Sequence, residues 1–148
     1  MKLALTLIAS VLSVDLAEAQ VCSITAVSQV AFGTYDVFDL TPLSFAGSVT
    51  YECTDVDAAD RVVIEIGGLT DGASRSMTSA NGSLAYQLYL DPARTLVWGT
   101  GAAGSSTYGP VLPGNGASTA VPIYGRVPAR QDAAVGSYQD TLVVTLLF

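Results

Sequence analysis

Residues 123–148 read IYGRVPARQDAAVGSYQDTLVVTLLF, and this stretch decides the fold. Along its second half, alternate side chains fall on one apolar face of a predicted strand: Tyr138, Leu142, Val144, Leu146 and Phe148. Asp140 is the polar interruption of that face. The sequence stops on this strand, and no further strand follows to pair with it. The sheet edge at this strand is therefore either buried or open, and an open apolar edge is a docking site for a strand from another chain.

The rest of the chain also predicts strands and almost no helix. The predicted strands cover residues 21–32, 44–53, 61–68, 84–90, 95–99, 119–129 and 137–148. Two loops rich in small residues separate some of them, at residues 70–83 and 100–118. Many short strands with Gly, Pro and Asp turns favour an all-β sandwich.

The chain has two cysteines, Cys22 and Cys53. In an exported protein a disulfide between them is the default expectation. A pair of free thiols and half of a metal site are the alternatives. A zinc site would need carboxylates to complete it, because the chain has no histidine.

The two cysteines also suggest a register for the first hairpin. If they face each other across antiparallel strands, the numbers of paired residues sum to 75. Val30 then faces Phe45, and Phe32 faces Leu43. A bulge is expected at Gly47, where a glycine interrupts the second strand.

Residues 1–19 have the marks of an export signal. Lys2 precedes an apolar run over residues 3–14, and residues 17–19 form a small-x-small cleavage site. A membrane anchor is the alternative, but the run is too short to span a bilayer. We therefore predict a signal peptide at residues 1–19 and one mature domain at residues 20–148, without a membrane span.

Composition excludes several classes of function. The predicted mature domain holds five arginines, no lysine and eleven acidic residues, a formal net charge of −6. Such a surface disfavours nucleic acid and anionic membranes as partners. The absence of histidine excludes Ser–His–Asp and Cys–His catalysis. Asp55, Asp57 and Asp60 are spaced as in a calcium loop but lack its glycine and terminal glutamate, so a solvated turn is favoured.

Two further groups of side chains have a functional and a structural interpretation. Three aromatic residues line either a sugar-binding surface or the packed core, and the core is favoured: Tyr86, Tyr89 and Trp98. Three arginines are candidates for binding a carboxylate or phosphate: Arg75, Arg126 and Arg130. The favoured interpretation is that they are exposed, or paired with an acid such as Asp140. The sequence holds no strong motif for an enzyme, a cofactor or a metal.

An ordered set of short motifs carries a family resemblance. Its pieces are Cys22, FGTYD at 32–36, GSVTYECT at 47–54, RSM at 75–77, LAYQLYLD at 84–91, WG at 98–99, YGRVPARQ at 124–131 and VGSYQDTLVVTLLF at 135–148. With them the chain resembles the spore coat protein U family, whose members include pilins of the archaic chaperone–usher pathway. The resemblance covers essentially all of the predicted mature domain.

This resemblance implies an immunoglobulin-like β-sandwich that lacks its last strand. In such pilins a periplasmic chaperone lends a strand to the open groove. The N-terminal extension of a neighbouring pilin subunit then replaces that strand, while an outer-membrane usher secretes the fibre. The implied function is a structural subunit of a surface pilus that supports adhesion and biofilm formation.

Carried over to this chain, the resemblance places the groove between residues 21–32 and 138–148. The implied floor consists of seven apolar side chains: Ile24, Val30, Phe32, Leu142, Val144, Leu146 and Phe148. The carboxylate of Phe148 is implied to contact a basic residue of the chaperone.

The segment before the first cysteine departs from the pilin pattern. Cleavage after Ala19 would leave only Gln20 and Val21 before Cys22, too few residues for a donor strand. The expected position is then a fibre tip or terminator, unless the apolar N-terminal segment is retained as the donor. A self-contained secreted coat or matrix protein is one alternative function. A tip adhesin that binds a ligand through the loops at 70–83 and 100–118 is another.

Overall fold

The computed structural model describes residues 19–69 and 74–148, so the predicted signal peptide lies almost wholly outside the described residues. Eight strands form in this order: β1 (Val21–Val27), β2 (Leu43–Thr54), β3 (Val62–Ile66), β4 (Arg75–Ser79), β5 (Gly82–Tyr89), β6 (Tyr108–Val111), β7 (Thr119–Val127) and β8 (Val144–Leu147). Within the described ranges, no helix is long and apolar enough to cross a membrane.

The strands form two sheets, and the predicted all-β sandwich is confirmed. The first sheet has the order β1-β2-β7-β5-β4, and the second has the order β6-β3-β8. Each pairs its strands antiparallel. Period-two alternation explains the packing, because every second residue of β3 is buried while its neighbours are half-buried. Val62, Ile64 and Ile66 of β3 meet the buried faces of β2, β5 and β7 in one apolar core.

Trp98 connects the two sheets at the centre of this core. Its side chain is 0% exposed, and the indole Nε1–H donates to the carbonyl oxygen of Ile64 on β3 at 2.9 Å. Its backbone N–H donates to the carbonyl oxygen of Leu88 on β5 at 2.9 Å. Residues 95–99, predicted as a strand, form isolated bridges here rather than a strand.

The hairpin of β1 and β2 confirms the first part of the predicted register. Cys22 faces Cys53 and the two are joined by a disulfide, so the predicted bridge is confirmed. Ile24 faces Tyr51, which also fits the sum of 75. The disulfide therefore fastens the open end of the hairpin, where strands fray most easily.

The register beyond residue 24 was predicted wrongly. A bulge lies between Ile24 and Ala26, not at Gly47, and β1 ends at Val27. Val30 and Phe32 do not pair with β2. The other edge of β2 pairs with β7, along the stretch that includes Gly47. The bulge shifts the pairing of Ala26 and Val27 by one residue, and after Val27 the chain leaves β2 and packs on the first sheet at Gly47 and Gly125.

Two other predictions need correction. The small-residue loops at 70–83 and 100–118 contain strands, namely β4 with the start of β5 in the first, and β6 in the second. The predicted final strand at 137–148 is regular only in β8. Its earlier part lies against the first sheet, since Gln139 bridges to Thr78 of β4, whereas β8 pairs with β3 of the second sheet.

Candidate strand-acceptor groove

An open groove lies between the two sheets, next to β8. Its cavity volume is about 920 Å³. β8 is the last strand of its sheet, so within the described chain one of its edges pairs with β3 and the other pairs with no strand. Such an edge presents main-chain N–H and C=O groups to an incoming strand. The site thus combines an apolar cavity with an unpaired sheet edge.

One wall of the groove is the crossing segment, residues 28–37. Its first end is held by Ser28, whose backbone N–H donates to the carbonyl oxygen of Ser48 on β2 at 2.9 Å. At the other end the Tyr35 hydroxyl donates to the carbonyl oxygen of Pro128 at 2.9 Å and accepts the Gln131 N–H at 2.8 Å. The segment is therefore anchored at both ends although it belongs to no strand.

Two glycines of the first sheet allow the crossing segment to pack closely against it. A Cβ atom at Gly125 of β7 would lie 2.8 Å from the ring of Phe32 and 3.2 Å from Val30. A Cβ atom at Gly47 of β2 would lie 3.2 Å from Val30. Because both positions lack a side chain, Val30 and Phe32 lie directly on the sheet. Phe32 also makes an edge-on contact with Tyr86, with ring centroids 5.7 Å apart.

The opposite wall is the C-terminal wall, residues 133–142. Gln139 and Thr78 of β4 exchange two backbone hydrogen bonds of 2.9 and 3.0 Å. The Asn81 side-chain amide donates to the carbonyl oxygen of Val135 at 3.2 Å, and the Tyr138 hydroxyl donates to that of Ala134 at 2.7 Å. The contacts of Thr78 and Asn81 hold the wall against the first sheet, and the Tyr138 contact lies within the wall, before the chain continues into β8.

Four of the seven predicted groove residues line the cavity: Val30, Phe32, Leu142 and Val144. Ile24 and Leu146 are half-buried against the core, outside the cavity lining, and Phe148 is 59% exposed. The deeper floor comes from residues that the sequence interpretation did not assign to the groove: Ile66, Met77, Leu84, Tyr86, Leu88, Ile123 and Val127. No sequence signal distinguishes a groove floor from the closed core, and Met77 lies in the segment that was predicted as a loop.

A polar pair interrupts the apolar lining. The Tyr86 hydroxyl donates to Oδ2 of Asp140 at 2.7 Å, and both residues line the cavity. Burial raises the pKa of the Tyr86 phenol, and the hydrogen bond to Asp140 raises it further. The phenol therefore keeps its proton and remains the donor at neutral pH. The other carboxylate oxygen of Asp140 accepts the Thr141 N–H at 2.8 Å.

Arg75 lies in the core, contrary to the expectation of an exposed or ion-paired arginine. It is 0% exposed, and its guanidinium donates to the carbonyl oxygens of Ile66, Gly67 and Trp98 at 2.9, 3.0 and 2.6 Å. A fourth bond of 2.5 Å reaches Oε1 of Gln87. Burial lowers the pKa of Arg75. Arg75 on β4 thus joins the first sheet to the end of β3, which forms the groove floor at Ile66.

Two other candidate sites predicted from the sequence were an aromatic sugar-binding surface and a calcium-like loop of aspartates. Among the described residues, the side chains of each make ordinary structural contacts. Trp98 and Tyr86 are buried core residues, which leaves no aromatic sugar platform with Tyr89. Asp57 and Asp60 form a local turn, in which the Asp57 N–H donates to a carboxylate oxygen of Asp60 at 2.7 Å. Among the described residues, no three His, Cys, Asp or Glu side chains are grouped closely enough to hold a metal ion.

The fold and the groove define an incomplete immunoglobulin-like sandwich, a sandwich with an open edge where a further strand would pair. The model of the Spore Coat Protein U domain matches residues 8–145, and the chain belongs to that family. The family and the fold are those of structural proteins rather than enzymes. "Protein U" of Myxococcus xanthus is 35% identical over 134 residues, a match that covers 79% of this chain and 70% of that protein.

A solved structure shares the fold. It is the crystal structure of a CsuC–CsuE chaperone–tip adhesion subunit pre-assembly complex from the archaic chaperone–usher Csu pili of Acinetobacter baumannii. The match has a TM-score of 0.60 at 20% sequence identity and covers 88% of this chain. The chain spans 40% of the length of the matched chain.

Proposed function

We propose that this protein is a structural subunit of a secreted chaperone–usher surface fibre, and that its groove is completed by a strand from another chain. The observation that carries this proposal is the cavity of about 920 Å³ beside the unpaired edge of β8. An inserted strand would pair with that edge through main-chain hydrogen bonds and place alternate apolar side chains in the cavity.

The family and the fold support three proposed partners. A periplasmic chaperone supplies the first strand, a neighbouring pilin subunit supplies the strand in the fibre, and an outer-membrane usher secretes the assembly. The protein accordingly passes through the periplasm to the cell surface, where the fibre supports adhesion and biofilm formation. The pilus complex that shares the fold and the match to the Spore Coat Protein U domain support this assignment.

Strand complementation predicts how the isolated protein behaves. An apolar cavity left open to water lowers stability, and an unpaired strand edge promotes aggregation. A synthetic peptide of about 10 residues, with alternate apolar side chains, should raise the melting temperature in a concentration-dependent way. A melting temperature that no such peptide changes, together with reversible unfolding of the lone chain at high stability, would contradict the proposal.

Neighbouring valines at the groove provide a matched pair of variants. Val144 lines the cavity, whereas Val143 is 70% exposed. Val→Thr keeps the side-chain shape and the β-branch, so both variants retain strand propensity. Val144→Thr should weaken peptide binding about tenfold, because a hydroxyl replaces a methyl group under the inserted strand. Val143→Thr should bind the peptide like the wild type.

A self-contained secreted coat or matrix protein is the second candidate. The observation that favours it is the crossing segment, which already covers part of the first sheet with Val30 and Phe32. A monomeric chain from the native cell surface that unfolds cooperatively and binds no chaperone would establish this alternative.

Tip, terminating and shaft positions differ in the residues before Cys22. Intact mass and N-terminal sequencing of protein from the cell surface distinguish them. A start at Gln20 leaves two residues before Cys22, so that the subunit accepts a strand without donating one. A start well upstream of Ala17 retains an apolar segment that is long enough to donate.

A further inference from the structure

We propose that Asp140 selects the strand that enters the groove, by favouring a lysine or arginine side chain at one inward-facing position of that strand. The inference rests on the proposed function, since it assumes that the groove accepts a strand. It adds the chemistry of the occupant and the residue that recognises it.

The charged side chains that line the groove are all acidic. Among the described residues that line it, Asp36 and Asp140 are charged, both are acidic, and none is lysine or arginine. Asp140 occupies the position where the apolar face of the C-terminal stretch is interrupted, between Tyr138 and Leu142. Asp140 is exposed, it lines the cavity, and its carboxylate accepts the hydrogen bond of the buried Tyr86.

Asp140 retains capacity for another hydrogen bond. An ionised carboxylate has about four acceptor sites, and here Tyr86 and the Thr141 N–H each use one. The guanidinium of Arg75 attracts Asp140 from within the core, but its hydrogen bonds go to three backbone carbonyls and Gln87. An inserted strand would remove water from Asp140, and a buried carboxylate needs a hydrogen-bonded partner in place of that water. A cationic side chain on the strand supplies it.

The same charge argument disfavours a second copy of this chain as the donor. Residues 10–20 read SVLSVDLAEAQ and carry Asp15 and Glu18 with no basic residue. Asp15 has an odd number and Glu18 an even one, so in an extended strand each face presents one acid. Whichever face entered the groove would bring a carboxylate among Asp36 and Asp140. The favoured occupant is therefore a strand from a different protein.

A peptide scan on the full chain tests the inference. The probes are alternating apolar peptides of about 10 residues, in which lysine, norleucine or glutamate occupies each inward position in turn. Lysine at one position should lower Kd about tenfold relative to norleucine, as expected for a charge-assisted hydrogen bond, and glutamate there should raise Kd. At the other inward positions norleucine should bind best.

Two isosteric variants test which acidic residue causes the preference for lysine. Asp140→Asn should abolish the preference for lysine, while Asp36→Asn, the matched control at the other acid of the groove, should retain it. The peptide comparison on the wild type requires no variant, so it remains decisive if Asp140→Asn fails to fold. A peptide of residues 10–20 should bind more weakly than the same peptide with Asp15→Asn and Glu18→Gln.

The outcomes separate the inference from the proposed function. Binding of the peptides with equal Kd for lysine, norleucine and glutamate at every position would overturn the inference and leave strand complementation standing. A preference that survives Asp140→Asn, or tight binding of the 10–20 peptide, would overturn it as well. Failure of all peptides to bind would overturn the proposed function and the inference together.

Discussion

Arg75 is expected to be a principal stabilising contact between the two sheets, and Arg75→Met tests this. Methionine keeps an unbranched apolar side chain of similar length but donates no hydrogen bond. The substitution leaves the carbonyl groups of Ile66, Gly67 and Trp98 without their guanidinium donor, whereas Oε1 of Gln87 still accepts the Leu88 N–H at 3.0 Å.

The expected loss of stability is the cost of leaving these acceptors unpaired minus the cost of burying the guanidinium charge, which the variant avoids. Each unsatisfied buried acceptor costs about 1–3 kcal/mol. Part of this is recovered, because the guanidinium no longer has to lose its water on folding and because local relaxation hydrates some acceptors. We therefore expect Arg75→Met to lower the free energy of unfolding by about 3–5 kcal/mol, the lower part of what three unpaired carbonyl groups would cost together. A typical domain has only about 5–15 kcal/mol in total.

Urea unfolding followed by tryptophan fluorescence is the assay. Trp98 is the chain's one tryptophan and is 0% exposed, so its emission reports the core that Arg75 supports. Wild type and variant are compared without peptide, so that a difference in peptide affinity does not contribute to the measured stability. Arg61→Met is the matched control, because Arg61 is exposed; its expected change is within about 0.5 kcal/mol. A loss below about 1 kcal/mol for Arg75→Met would refute the reasoning, since a single unpaired acceptor should cost that much.

Three further predictions concern other parts of the sandwich. Gly125→Ala should cost about 1–3 kcal/mol by overpacking and weaken peptide binding, because its Cβ would lie 2.8 Å from the aromatic ring of the crossing segment. Gly67→Ala is the control, since its Cβ would meet its nearest atom at 3.6 Å, and equal melting temperatures for the two variants would contradict the prediction. Replacing Cys22 and Cys53 by serine should cost about 3–4 kcal/mol by the chain-entropy model for a separation of 31 residues, measured by urea unfolding; an unchanged midpoint would refute it. Burial raises the pKa of Tyr108 from 10.0 to about 12, so its contribution to stability should be intact below pH 10 and lost as the pH rises towards 12. Tyr108→Phe should flatten that loss in unfolding measured between pH 10 and 12, and an unchanged slope would argue against it.

Local patterns in the sequence predicted the parts of the fold that depend on neighbouring residues. The runs at 61–68 and 119–129 predicted the strands β3 and β7, and the cysteine pair predicted the register from Cys22 to Ile24. The sequence interpretation missed β4, because its strand RSMTS has one apolar residue and buries an arginine. Arginine is rarely buried in proteins, so no composition rule assigns it to a core. Only the four acceptors that β3, β5 and the segments after them bring together make that position favourable.

For the groove too, some features are determined by the sequence alone and others only by the tertiary structure. The sequence by itself determined an all-β chain with an apolar final strand, a disulfide pair and the motifs of its family, because these depend on spacing along the chain. Only the tertiary structure decided that the chain leaves the sheet after β1, that the edge of β8 is open, and that Asp140 meets Tyr86 across 54 residues of sequence. The physical reason is that a cavity and its polar contacts are made by segments distant in sequence. Their relative positions are set by packing of the whole sandwich, including the bulge near Ile24 and the absence of a side chain at Gly125.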